Sequence, residues 1–390
     1  MSRLSKKAYP RATLTLDFGG SGTKGIVQIQ GSTPHVLYME PEVIEVPRTS
    51  LISKTQNNLC NAYPENAAWV GVGEQYRAVG YLAQTAYVAS SFLRPRKYEL
   101  AVYKTLAAVW VVKQKYKLPA AFDLSLALLL PPGEFEDSYL LEPMLKEALL
   151  GFDTPAGELR VNLTSYECFP EGGGIYMMYC KNKGESAKRW TIAIVQVGYR
   201  NASVLVSRRG VLDKGKTTNL GMARMVDLVM ERTSGLLPNA LAVAIASSNS
   251  DPKPHHFMGL VAIADAEQRM AQVQKIVVAV QSARTEYAIA LTSWLQEVLP
   301  AENELSGVIL CGGTTDYLKN ELLAAFQSTT LVWHGEVQVP PELDKYDLGS
   351  RLADVYALSE YHAASVKARA KAAAKQLTDS VGKEVVGHRG

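Results

Sequence analysis

Near its start the chain runs strand, glycine-rich turn, strand, and this order constrains its fold more than any other stretch. Residues 11–17 are β-branched and aliphatic, residues 25–30 read as their hairpin partner, and Asp17-Phe18-Gly19-Gly20-Ser21-Gly22-Thr23-Lys24 makes the turn. A Walker A loop sets its lysine between a strand and a helix. Lys24 instead leads into Gly25 and a second strand, so this turn points to a different way of holding phosphate. The glycines let the backbone turn tightly and present N–H groups, Ser21 and Thr23 add hydroxyl donors, and Lys24 adds positive charge. Asp17, at the end of the strand, is placed for the hydrated magnesium ion that accompanies a triphosphate. Read alone, the same residues also make an ordinary glycine-rich hairpin.

The order is then repeated. A third strand is expected over residues 35–46 and a helix over 97–116, where Leu100, Tyr103, Leu106, Ala107 and Trp110 recur at helical spacing. Residues 124–130 are an apolar run stopped by Pro131-Pro132-Gly133, which suits a central parallel strand buried on both faces. A helix over 138–150 follows. Strands are expected next over 159–168, 175–180 and 191–197, with 202–207 returning across the turn Gly198-Tyr199-Arg200-Asn201. Residues 220–232 and 266–299 read as helices, and 308–311 as a buried strand delivering Gly312-Gly313 to a helix over 317–326. Hairpins alternating with strand–helix units, stated twice, predict two α/β domains of similar plan.

The 390 residues give ample material for two cores, and 47% hydrophobic with 20% charged residues is ordinary for a soluble globular chain. A formal charge of +3 is too mild for the body itself to bind nucleic acid directly. Cys60, Cys168, Cys180 and Cys311 form no C-x-x-C pair and no metal-ligand spacing, so they read as reduced, buried thiols of a cytosolic protein. The basic start MSRLSKKAYPRA is followed by no apolar segment, and no stretch is long enough to span a membrane. A cytoplasmic location is the expectation. Residues 363–390 are rich in alanine and lysine, which fits a solvated terminal helix or, alternatively, an interaction tail for an anionic partner.

Three landmarks stand in sequence: Asp17 to Lys24, the segment Ile192-Ala193-Ile194-Val195-Gln196-Val197-Gly198-Tyr199, and Val308-Ile309-Leu310-Cys311-Gly312-Gly313-Thr314-Thr315. In this order they resemble the first phosphate, second phosphate and adenosine motifs of the actin superfamily, over residues 11–362. Ala78-Val79-Gly80-Tyr81-Leu82-Ala83 and LLLPPGEFE, residues 128–136, look like the ParM-type plasmid-segregation and archaeal actin-like proteins. The resemblance implies an α/β fold of two RNase H-like, actin-type domains flanking a nucleotide cleft. Domain I would take residues 1–165 plus 345–366, domain II residues 166–344, and a basic tail residues 367–390.

ATP or GTP with Mg2+ is the implied cofactor. Gly19, Gly20, Ser21, Gly22, Thr23, Lys24, Gly198, Tyr199, Gly312, Gly313 and Thr314 would hold the nucleotide, and Asp17 the metal. The segment from Gly215 to Gly221 would bring Lys216 near the base or ribose, a solvated loop being the alternative. In Phe169-Pro170-Glu171-Gly172 the family's P-E pair implies that Glu171 orients the attacking water. The second phosphate motif usually reads D-x-G-x-x-T-x-D. Here Gln196 replaces its first aspartate, Gly198 is retained, and Ala202 and Ser203 stand at the later polar and acidic positions. A glutamine bonds water but brings no charge to a metal, so binding is expected to survive while hydrolysis is slow or differently arranged. Asp213 and Asn201 are the groups left to compensate. Residues 349–361 resemble the second interdomain connection, which implies hinge or structural roles for Arg351 and Asp354.

The implied function is a filament-forming actin-like protein. It would be an ATPase coupled to head-to-tail self-assembly, positioning DNA or other cargo through an adaptor. A small-molecule, sugar-type kinase of the same superfamily is the rival, although no carboxylate base stands out in the second phosphate motif. A nucleotide-binding scaffold with little hydrolysis is the third reading, motivated by Gln196.

Overall fold

The first hairpin forms as its residue pattern dictates. In the computed structural model, which describes residues 11–56, 62–89 and 97–386, β1 (Arg11–Gly19) and β2 (Gly22–Ile29) pair antiparallel with Asp17 opposite Lys24. Cys60, the basic residues before Arg11 and the last four residues of the tail lie outside the described residues. The sheet continues through β3 (His35–Met39), β4 (Val43–Glu45), β5 (Trp69–Val72), β6 (Gln75–Val79), β7 (Ala121–Leu130), β8 (Phe152–Thr154) and β9 (Gly157–Pro170). Its nine strands are ordered β3-β2-β1-β7-β9-β8-β5-β6-β4, and β1, β7 and β9 run parallel. The strand expected over 35–46 is broken in two at Glu40-Pro41-Glu42, because a proline has no N–H for the ladder.

The second sheet restates the first. It holds β10 (Thr191–Val197), β11 (Ala202–Arg208), β12 (Val211–Leu212), β13 (Lys216–Thr218), β14 (Gly307–Cys311) and β15 (Leu331–Trp333), ordered β12-β11-β10-β14-β15, with β13 pairing β11. β10 and β11 form a hairpin, and β10, β14 and β15 run parallel. Gln196 therefore occupies in β10 the place that Asp17 occupies in β1: each lies near the end of its strand beside the hairpin turn, opposite Ser203 and Lys24 respectively.

Alternation along the strands sorts side chains between two layers. Leu14, Leu16, Leu126 and Leu128 pack outward against α1 (Lys97–Lys115) and α2 (Ser138–Leu149) through Leu106, Trp110, Leu141 and Leu145. The inward faces carry Asp17 and Gln196, and two helices fill the space between them. α3 (Gly173–Lys183) follows β9 of the first sheet, yet its Ile175 and Tyr179 pack on Ile192, Ile194 and Ile309 of the second. On the outer face of the second sheet, Val195 and Leu310 meet α4 (Met222–Met230), α5 (Pro238–Ser248) and α6 (Ala266–Val298) through Met225, Ile245, Val280 and Leu291. After a short α7 (Gly313–Tyr317), α8 (Ala353–Val386) returns, and its Val355 and Leu358 pack on Ile26, Ala127 and Leu129 of the first sheet. β7 is thus buried on both faces, as its apolar run predicts.

The strand expected over 175–180 is part of helix α3. Its aromatic and apolar residues are as good on a helix face, where Ile175 and Tyr179 are one turn apart and buried. The glycines before it turn the chain, and tertiary contacts supply the cap. α8 is fastened to the first sheet by a buried polar set: His362 Nε2 lies 3.0 Å from Ser125 Oγ and its Nδ1 2.7 Å from Glu167 Oε2. Arg369 binds the other oxygen of Glu167. The hydrogen bond from His362 and the nearby positive charge hold the Glu167 carboxyl below its ordinary range, against the desolvation that would raise it. Residues 367–372 of the same helix are exposed. Among the described residues no helix is long and apolar enough to cross a membrane.

Candidate functional site

A cavity of about 380 Å³ opens between the inward faces of the two sheets. That size suits a small-molecule or cofactor site, for which roughly 300–1,000 Å³ is usual. The turns of the two matching hairpins meet at its mouth. A Cβ placed on Gly20 would lie 3.2 Å from Arg200 Cβ and 3.3 Å from Tyr199 Cδ1, so the turns are within van der Waals reach of each other. The second turn is braced from behind. Gly198 N–H donates to Asn201 O at 2.9 Å, while Gly198 O and Tyr199 O accept from the first N–H groups of α4 at 3.1 and 2.8 Å. Thr314 Oγ1 adds a 3.0 Å bond to Gly198 O, joining the Gly312-Gly313 turn to the same corner.

Of the residues predicted from sequence, Asp17, Gly19, Gly20, Ser21, Lys24, Glu171, Gln196, Gly198, Tyr199, Gly312, Gly313 and Thr314 all line this cavity. Gly22, Thr23 and Lys216 do not. Successive side chains of β2 point to opposite faces, so with Lys24 turned to the cavity Thr23 is directed away; its Oγ1 is buried with no hydrogen-bond partner among the described residues. Gly22 lies under the ring of Tyr38. Lys216 is exposed on β13, because its segment is taken up as a strand along β11 instead of a loop over the cavity. Of the two compensating groups, Asn201 lines the cavity with its Oδ1 buried, whereas Asp213 is held on the surface by Arg208 at 3.0 Å.

Charge is arranged in pairs. Asp17, 4% exposed, accepts from Lys24 Nζ at 2.5 Å, and Lys24 also donates to the Arg351 carbonyl at 3.1 Å. Arg351 Nη2 donates to Ser21 Oγ at 2.9 Å, placing a second cation on the glycine turn. Glu171 projects from the loop after β9, and Gln196 Nε2 stands 3.5 Å from its Oε2. Asp354, buried in the cavity wall, accepts from Gly172 N–H at 2.6 Å and Ile175 N–H at 3.1 Å. Desolvation raises its carboxyl to about 7, the two backbone donors oppose that shift, and the charges of Asp17 and Glu171 add to it. Sequence reasoning gave Arg351 and Asp354 no chemistry, yet both form the cavity wall. Nothing local marks them, because their partners lie more than 170 residues away in the chain.

No protein-family model matches the chain, and no curated protein matches it. Its three-dimensional neighbours are informative. A ParM filament structure from Clostridium botulinum superposes with a TM-score of 0.60 at 16% identity, covering 90% of this chain and 99% of that one. The actin-like protein Alp7A gives 0.65 at 13%, covering 94% and 100%. The archaeal actin homologue Ta0583, in complex with ADP, gives 0.53 at 14%, covering 89% and 98%. This is the actin fold. The doubled sheet plan and the two helices that pass between the sheets are its frame here.

Within the actin fold of this chain the two hairpin turns are chemically unequal. The first carries an acid and a base, Asp17 and Lys24; the second carries Gln196 opposite Ser203. Buried Cys311 sits below Gln196, its Sγ 3.7 Å from Oε1, and burial pushes that thiol well above its ordinary range, so it stays neutral. An anionic ligand seated here would meet Lys24 and Arg351 beside the first turn and Arg200 on the second.

Proposed function

We propose that the chain is a nucleotide-dependent, filament-forming actin-like protein that binds ATP or GTP with magnesium in this cleft. The observation that carries the reading is the meeting of the Gly20 turn with the Tyr199-Arg200 turn over a cavity whose first wall holds Asp17 and Lys24. Backbone N–H groups of a glycine turn beside a lysine suit phosphate oxygens, and Gly312-Gly313 allows close approach of a nucleoside. Asp17 is the residue to hold magnesium, through water or directly. Among the described residues no group of three or more His, Cys, Asp or Glu side chains could ligate a metal. One carboxylate plus substrate phosphates is the usual arrangement for magnesium, so the donor set fits. The ion neutralises phosphate charge when bound, and Lys24 exchanges its pairing with Asp17 for phosphate oxygens.

Hydrolysis in this reading falls to Glu171, which accepts a hydrogen bond from water and orients it. Gln196 brings no charge, so phosphate release is slow. Residues 1–165 plus 345–366 and residues 166–344 act as two domains whose closure depends on the nucleotide. Closure sets the geometry of a head-to-tail contact between copies, and an adaptor links the filament to DNA or other cargo in the cytoplasm. That a ParM filament and an ADP complex are among the structures sharing this fold supports the reading.

Pelleting and negative-stain microscopy with ATP, GTP, ADP and no nucleotide, with phosphate release followed in the same samples, test it. Filaments are expected with triphosphate and not with Asp17→Ala. Monomers under every condition would sink the filament reading, and nucleotide binding unchanged by Asp17→Ala would contradict the metal role.

A further inference from the structure

We infer that Asp354 is a positioning residue that sets the carboxylate of Glu171 in the cleft, an inference that rests on the nucleotide reading above. Glu171 reaches the cavity from a loop pinned on both sides. Its own N–H donates to Leu130 O at 2.7 Å, fixing it to the end of β7. The following N–H, of Gly172, donates to Asp354 Oδ2 at 2.6 Å, and Ile175 N–H donates to the other oxygen at 3.1 Å. One carboxylate on α8 therefore caps α3 one residue beyond Glu171.

The capping group comes from α8 and not from the residue at the cap position. The residue at the cap position is Gly172, with a left-handed φ of 87° and no side-chain oxygen. A larger residue is excluded there, since its Cβ would fall 2.8 Å from Ile194 Cγ2. The backbones of α3 and α8 touch at Gly174, which holds Asp354 close to the start of α3. Gln196 Nε2 lies 3.5 Å from Glu171 Oε2, at the long end for a hydrogen bond. Arg351, one turn before Asp354, binds Ser21 of the phosphate turn. A single turn of chain thus touches the phosphate side and the water-orienting side of the cleft.

A double-mutant cycle tests this in the full chain, with binding of a fluorescent nucleotide, phosphate release and melting temperature measured for each variant. Asp354→Asn keeps the shape but sets an amide donor against one backbone N–H. It is expected to keep nucleotide affinity within about twofold and to slow phosphate release about 100-fold. Combined with Glu171→Gln, it should slow release no further than Glu171→Gln alone. Asp354→Glu, which keeps the charge and shifts it by one methylene, is expected to bind normally and release phosphate about tenfold more slowly, and covers the case in which the amide variant does not fold. Additive losses, a wild-type rate in either variant, or equal losses of affinity, melting temperature and rate would reduce Asp354 to a structural cap. A wild-type chain that binds nucleotide without releasing phosphate overturns this inference alone; one that binds none overturns the nucleotide reading with it.

Discussion

At the scale of single residues, backbone meets backbone at the crossing of α3 and α8. A Cβ on Gly174 would lie 2.4 Å from Asp354 O and 2.8 Å from Leu358 N, both backbone atoms that cannot move aside. Gly174→Ala is expected to force the helices apart and to cost about 1–3 kcal/mol, read as a lowered denaturation midpoint. Gly173→Ala is the matched control: its Cβ would meet nothing nearer than 3.6 Å, and alanine favours the helix, so a neutral or slightly positive change is expected. Equal losses from both would remove the crossing as the cause. In sequence the three glycines after Glu171 are indistinguishable from one another. Their distinct duties depend on atoms of Ile194, Asp354 and Leu358, which no local pattern announces. The same limit kept the cavity contacts of Arg351 and Asp354, expected only as hinge or structural residues, out of reach, and it misdirected Thr23, whose side is decided by which neighbour faces the cavity.

At the scale of elements, α8 is held to the first sheet by the carboxylate of Glu167 on β9. Its folded pKa is depressed below the unfolded value, which is near 4.3. The unfolded chain therefore takes up the proton first as acid is added. The contribution to stability is complete above that value and is lost as pH falls through the folded pKa. Melting temperature is expected to fall more steeply in this acidic window for the wild type than for Glu167→Gln, which should already be destabilised by about 1–3 kcal/mol at neutral pH. Parallel curves for the two would show that Glu167 does not titrate with unfolding. The hairpins and the β7 strand were legible because alternation and apolar runs are local signals. α3 was not, because a six-residue run of aromatic and aliphatic side chains satisfies both periods, and the cap that decides for helix arrives from α8.

At the scale of the whole molecule, the cleft draws its walls from both sheets, so a ligand there belongs to the folded state of both halves. Nucleotide at 100 times its dissociation constant is expected to add about 2.7 kcal/mol, a rise of about 3 °C in melting temperature for a chain of this length. Differential scanning fluorimetry with and without nucleotide and magnesium checks this, and a rise that persists in Asp17→Ala would place the ligand elsewhere. The doubled plan was legible at this scale because the same order of hairpin and strand–helix units occurs twice in the sequence. Which faces look at each other was not, because that follows from two helices each leaving one sheet to pack on the other. One consequence lies in how the matching hairpins are encoded. In a symmetric pair of identical subunits, every substitution at the mouth would appear on both sides at once. Here the two hairpins share one chain, so the acid of one and the amide of the other are independent choices, and either side can change without the same change appearing in its counterpart.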